Sequence, residues 1–299
     1  QLSGLTAQQL AILDTEQLPG MGAAVLGSLA TTQIKALTTT QLASLSTTQT
    51  GGLTSSQIRS LSTLQIVALT AAQIGALNAG QESGLTSGQI AVLTTERLSQ
   101  GPATQIAKLA TAQVKGLTAT QMTHFSATQV AALESTDLGQ LSTRQLGGLT
   151  SEQISALTVT QMGGLTSLQI KALTVTQFGG LTSADLAVLN ASQAKSLTSA
   201  QIAFLTLPQL KGLSSNLIGV LVPAQLSGLT TDHIVALSTA QMAGLTSGQI
   251  RGLSVAQVGV LSSTQIAALT TVQFGGFVPR ELAVLTAGQL DGLSAAKVA

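Results

Sequence analysis

Cysteine, tryptophan and tyrosine are absent from the 299 residues, phenylalanine occurs five times, and charged residues make up only 8%. Each absence closes something off. Without cysteine there are no disulfides, thiol nucleophiles or thiolate metal ligands. Typical soluble domains carry about 25% charged residues; here the net charge is +1 and Lys and Arg are scattered singly, so no basic patch invites nucleic acid. The near absence of aromatic and Arg anchors removes the usual means of gripping a protein or peptide along one face. Long apolar runs are missing too, because Thr, Ser and Gln interrupt every stretch, and a membrane span needs ~20 consecutive apolar residues. The amino-terminal QLSGLTAQQL lacks the basic region and apolar run of a signal peptide.

What is present is one pattern, Leu-Thr-x-x-Gln-apolar-x-small, repeated every eight residues. With Leu5 at position one, the frame runs to Ala299 without an insertion or deletion. Position one is Leu in 33 of 37 octads, the exceptions being Met21, Gly101, Phe125 and Phe277. Position two is Ser, Thr, Asn or Asp in 30, and position five is Gln in 29. Position six is nearly always Ile, Leu, Val, Met or Phe.

Thr-x-x-Gln is a capping box: the Thr hydroxyl accepts from the N–H three residues on, and the Gln reaches back to the cap N–H. Positions one and six are where a hydrophobic staple belongs. Pro223 and Pro279 fall on position three, the first helical residue, where proline is best tolerated. A continuous helix does not fit, since eight residues at ~100° each overshoot two turns by ~80° and the Leu positions would spiral round the axis. Each octad is therefore expected to be one helix of about six residues, too short to persist alone. A β-solenoid is the rival, but positions one and six would face opposite sides of a strand, and Ala and Gly are poor strand residues.

Glycine occupies position eight in 12 of 18 alternate octads, including Gly52, Gly84, Gly148, Gly180, Gly212 and Gly292, and in only one of the intervening 18, Gly252. Glycine ends helices by entering the left-handed region at little cost. The alternation predicts two unlike corners and a 16-residue layer. The expected fold is thus an all-α solenoid of capped octads paired into 16-residue layers. It forms one domain over residues 1–299, with eighteen or so layers in a rod on the order of 150 Å long at helix spacings of ~8–10 Å. Positions one and six face inward; positions three, four and seven, which hold Lys35, Arg59, Lys115, Lys171, Lys211, Arg251 and Asp291, face out. Glu82 at an apolar position, Gly101-Pro102 in place of Leu-Thr, and Leu217 and Val222 within residues 213–228 are places where the rod could bend or break. Gln1 falls on position five and Ala299 on position seven, and neither end carries an atypical capping repeat, so the chain reads as a window of a longer repetitive protein.

Candidate chemical residues do not assemble into a site. His124 and His233 lie in distant octads, and His233 takes the place of a Gln. Glu134 and Asp137 share an octad at its cap and box positions, where a helix start accounts for them better than an acid/base pair. The pairs Gly147-Gly148 and Gly163-Gly164 lack the strand and Lys of a phosphate loop. No Asp/Asn/Gly cluster offers calcium its oxygens. Asn190-Ala191-Ser192 is a formal N-glycosylation sequon on a cap position, and Thr38-Thr39-Thr40 is an exposed Thr run. The expectation is no catalytic, cofactor-binding or metal-binding residue, no cofactor and no small-molecule substrate.

The octads resemble the low-complexity LTxxQ tracts of very large bacterial surface proteins. That resemblance implies secretion and a place at the cell exterior. Strict periodicity and a surface with few charges point the same way, to a non-enzymatic structural protein that self-associates into a filament, sheath or stalk. The alternatives are an interaction solenoid that binds a protein, glycan or surface, or a ligand surface made of Thr rows.

Overall fold

The computed structural model describes residues 4–291 and 293. Among the described residues the chain is all-helical: α-helices of four to six residues, one per octad, with a single 3-10 turn at Leu18–Gly20 and no strand. The β-solenoid is thereby excluded, and the protein is an all-α solenoid of very short helices. Two compact units are distinguished, Gln1–Leu149 and Thr150–Ala299. Each has the same internal construction.

The helix starts are those the cap chemistry dictates. Before helix Ser167–Ala172, Thr166 is extended (φ −75°, ψ 157°) and its hydroxyl accepts from the Gln169 N–H, while Gln169 accepts from the Thr166 N–H at 2.7 Å. At Ala30, Ala110 and Val222 the cap side chain cannot accept, yet the Gln three residues on still takes the cap N–H. Pro223 and Pro279 each open a helix as first residue. Positions one and six form the core: Leu165 and Ile170 are 3% and 0% exposed. Burying two such side chains contributes about 3–6 kcal/mol per octad before chain entropy is set against it. Lys35, Arg59, Lys171 and Arg251 lie outside, as the pattern requires.

Two features of the expected coil are corrected. The first is the corner. No described residue, glycine included, has a positive φ. Where a helix runs to position eight the chain leaves it through two residues of extended type at positions one and two; Leu165, for instance, has φ −67° and ψ 142°, and Thr166 φ −75° and ψ 157°. Position eight remains right-handed whether it is Gly180 or Ala156. Corners are therefore alike, and glycine is not what turns the chain.

The second correction is the size of a turn. Helices pack on the third helix along the chain, as Ser167–Ala172 does on Ala191–Ser196. Hydrogen bonds between turns join residues 28, 30 and 31 apart. A turn thus spans between three and four octads, where the glycine alternation predicted two. The glycines now have a spatial reason. Gly52, Gly84, Gly116, Gly148, Gly180, Gly212, Gly244 and Gly276 recur at every fourth octad. Each lies against the backbone at the start of the helix beneath, as Gly84 does against Ser55 and Gly180 against Ser151. A Cβ on Gly212 would collide with the carbonyl oxygen of Ser183 and sit 2.8 Å from its Cα. Most of the alternation in the sequence is the trace of this four-octad spacing of close approaches; Gly228, two octads out of step, makes the same approach to Ser199. Gly292 lies outside the described residues.

Candidate functional site

The most uniform polar feature of the molecule is internal. The Gln at position five is buried in octad after octad; Gln57, Gln201 and Gln249 are 1%, 1% and 2% exposed. Its oxygen serves the cap of its own helix, and its amide nitrogen reaches the turn beneath. Gln89 Nε2 donates to the carbonyls of Ile58 and Leu61, each at 2.8 Å; in the second unit Gln249 Nε2 donates to those of Ile218 and Leu221, each at 2.7 Å. The position-six carbonyl already accepts the N–H that closes its helix, as Leu61 N–H to Ile58 shows. The position-one carbonyl sits in the extended corner and takes no backbone donor, so the amide is what satisfies it. A buried carbonyl without a donor costs ~1–3 kcal/mol. One side chain therefore starts its own helix and pins the corner of an earlier one.

This second duty explains why position five is Gln. A capping box accepts Glu as readily, but a carboxylate has no N–H to give the turn beneath. Sequence reasoning recognised the box and missed the ladder, although the scarcity of Glu at position five was the available signal.

The exceptions test the rule. His233, 4% exposed, accepts from the Thr230 N–H through Nδ1 and reaches the Leu205 carbonyl through Nε2 at 2.7 Å, 28 residues away. A neutral imidazole protonated at Nε2 does both jobs of Gln. Arg97 donates through Nη2 to the Leu69 carbonyl, at the same separation along the chain. Asp185 keeps the cap, accepting from the Thr182 N–H at 2.8 Å, but has nothing to donate. Asp137 and Glu281 are 5% and 0% exposed, and Asp137 Oδ1 and Glu281 Oε1 have no hydrogen-bond partner. Glu281 Oε2 takes the Val278 N–H at 3.0 Å, which leaves Oε1 where a Gln would carry its amide; the exposed Arg280 guanidinium is 3.9 Å from it. Restoring the amide with Glu281→Gln is expected to stabilise the second unit by about 1–2 kcal/mol, read as a higher urea midpoint at unchanged slope.

One place departs from the pattern throughout. Glu82 stands at position six, where nearly every other octad carries an apolar side chain and Thr50 is the other polar one, and three octads on, Gly101-Pro102 replaces the Leu-Thr pair. The coil brings these two irregularities together. Gln105 Nε2, instead of reaching the turn beneath, donates to Glu82 Oε1. A cavity of about 50 Å³ opens beside them, lined by Ile74, Leu77, Arg97 and Leu109 among others, with a more open cleft of about 270 Å³ between Gly75, Arg97 and Pro102. Burial raises the Glu82 carboxyl above its ordinary value, against the lowering influence of Gln105 and Lys108, so ionisation of Glu82 works against the folded state. Desolvation likewise lowers Arg97. The third irregular stretch, residues 213–228, keeps its helices: Ser214 caps Ser215–Val220, with Leu217 buried.

The remaining sequence candidates are dispersed. His124 is exposed and its Nδ1 meets the carbonyl of Thr120 at 2.8 Å in its own helix. Glu134 is exposed and makes no side-chain cap bond, so the expected capping by the Glu134–Asp137 pair is not formed; the helix there starts through backbone bonds alone. Asn190 caps its helix by accepting from the Ser192 and Gln193 N–H groups. Thr38, in its exposed Thr run, caps Thr39–Ser44. Gly148 belongs to the close approaches, and a Cβ on Gly163 would meet nothing. Among the described residues no three His, Asp or Glu side chains converge as metal ligands, and no helix is long and apolar enough to cross a membrane.

No curated protein matches the chain. The ALTTAQ repeat model matches three stretches, residues 51–79, 130–167 and 240–271. Its six letters fall on positions eight, one, two, three, four and five of the octad, as in Ala68-Leu69-Thr70-Ala71-Ala72-Gln73 within the first matched stretch, so the similarity to the ALTTAQ repeat covers the corner, the cap and the Gln that ties one turn to another.

Proposed function

We propose that the chain is a non-enzymatic structural protein, which builds or stiffens an extracellular filament, sheath or adhesin stalk through association of identical repeats. The observation that carries this reading is the amide ladder. At most corners a turn of a unit is bonded to the turn beneath, so load along the coil is shared among many buried hydrogen bonds, and the histidine at position five, His233, is engaged in that ladder. A surface with 8% charged residues supports self-association, because little repulsion keeps copies apart. The LTxxQ character of the octads supports a place at the cell surface.

Electron microscopy of the full-length protein is expected to show fibres or ordered arrays, and dispersed single particles at every concentration tested would reject the reading. The alternative, a solenoid that binds a protein, glycan or surface, draws on exposed apolar side chains such as Leu168 and Phe204, which are 68% and 54% exposed. It predicts single particles that decorate an added target.

A further inference from the structure

The lapses in the first unit's ladder are not scattered. At the spacing that sets Gln89 on Leu61, Gln105 should serve Leu77 and Asp137 should serve Leu109. Gln105 has turned to Glu82, and Asp137 is a buried carboxylate with an unpartnered oxygen. Neither corner carbonyl receives an amide from these residues. Leu77 and Leu109 both line the cavity around Glu82. Packing is looser there as well: Leu98 and Leu109, whose counterparts in the flanking turns are buried, are half-buried, and Ile74 is 9% exposed where Ile58 and Ile66 are 0%. On either side the ladder is whole, with Gln89 on Leu61 at 2.8 Å and Gln145 on Leu117 at 2.7 Å.

We propose that residues 77–109 are a built-in parting point, the stretch of the first unit that opens first while the turns on either side stay closed. Three losses meet in it: two missing corner bonds, of which the one at Leu77 follows from Glu82 drawing Gln105 away, a cavity large enough for a few water molecules at ~10–15 Å³ each, and a carboxylate where the core expects an apolar side chain. Opening further hydrates Glu82, which is half-buried, and the two corner carbonyls that receive no amide, so it exposes polar groups that gain from hydration. The rungs from Gln113, Gln121 and Gln129 to Leu85, Leu93 and Gly101 break on opening as well, but in the flanking turns opening breaks corner bonds with no unserved carbonyl to hydrate in return. The charged groups that line the cavity beside Glu82, Arg97 and Lys108, form no ion pair with it among the described residues. The parting point does not depend on the filament reading.

Hydrogen exchange of the full chain tests it. Amides within 77–109 are expected to exchange at least ~10-fold faster than those of 53–69 and 117–146 after correction for intrinsic rates. Glu82→Ile fills the position as other octads do and returns the Gln105 amide to Leu77. It is expected to bring residues 77–109 to within roughly threefold of the flanking turns. Asp137→Gln, which supplies the amide for Leu109, should slow exchange around that corner with Glu82 left in place. Uniform protection along the wild-type unit would overturn the proposal, as would folded Glu82→Ile and Asp137→Gln proteins whose exchange in 77–109 is unchanged.

Discussion

Gln249→Glu is expected to cost the second unit about 3–5 kcal/mol, although the two side chains have the same shape. The carboxylate retains the cap, since one oxygen can accept from the Thr246 N–H as Gln249 Oε1 does at 2.6 Å. The other oxygen replaces the amide that donates to Ile218 and Leu221, and so turns two attractive contacts into two oxygen–oxygen repulsions in a site 2% exposed. The Leu221 carbonyl loses its donor, and a charge is buried with no partner. The comparison variant is Thr246→Ala, which removes only the cap and should cost ~1 kcal/mol. Urea unfolding followed by circular dichroism reads both. Were Gln249→Glu no more damaging than Thr246→Ala, the ladder would carry no weight and Gln would be a capping residue only.

The second large effect concerns glycine. Gly212→Ala is expected to destabilise the second unit by about 1–3 kcal/mol, because its new methyl would have to displace the backbone of Ser183 rather than a flexible side chain. Gly163→Ala makes the control. It too lies inside a helix, Val159–Gly164, but a Cβ there meets nothing within 4 Å. It should stabilise by about 0.4–1 kcal/mol, since alanine loses less chain entropy on folding. Opposite signs at two helical glycines separate close approach from conformational freedom. Equal effects would mean that the turns can spread apart at Gly212 without penalty.

The acids at position five join the two arguments. Asp137, Asp185 and Glu281 look conservative beside Gln in a capping box, and by that standard only Glu134–Asp137 drew notice. In the folded chain they are acids at which the ladder lacks a donor, as it also does at Leu217, while Gln105 turns its amide to Glu82. His233 is the converse, a residue that draws attention as a catalytic type and serves as a substitute amide. Its two ring nitrogens take the same partners, cap N–H and corner carbonyl, as the two ends of Gln.

What the sequence determined by itself is the capping box and the inward face of each octad, whose partners lie close along the chain. The Thr166 cap, the Gln169 box, the inward Leu165 and Ile170, and the start of a helix at Pro223 all depend on near neighbours in the chain, and local chemistry suffices to read them. The tertiary structure decided how many octads make a turn, and with it the purpose of two residues. Corner dihedrals at Leu165 and Thr166 set the direction of the next helix, and no spacing within the octad encodes them. Only when the coil closes on itself does Gln249 find Leu221, 28 residues back, and only then does Gly212 meet Ser183. The four-octad glycine period was present in the chain from the start. Read as a local corner it suggested layers of two octads; once the turns are stacked it marks where two backbones come too close for a side chain.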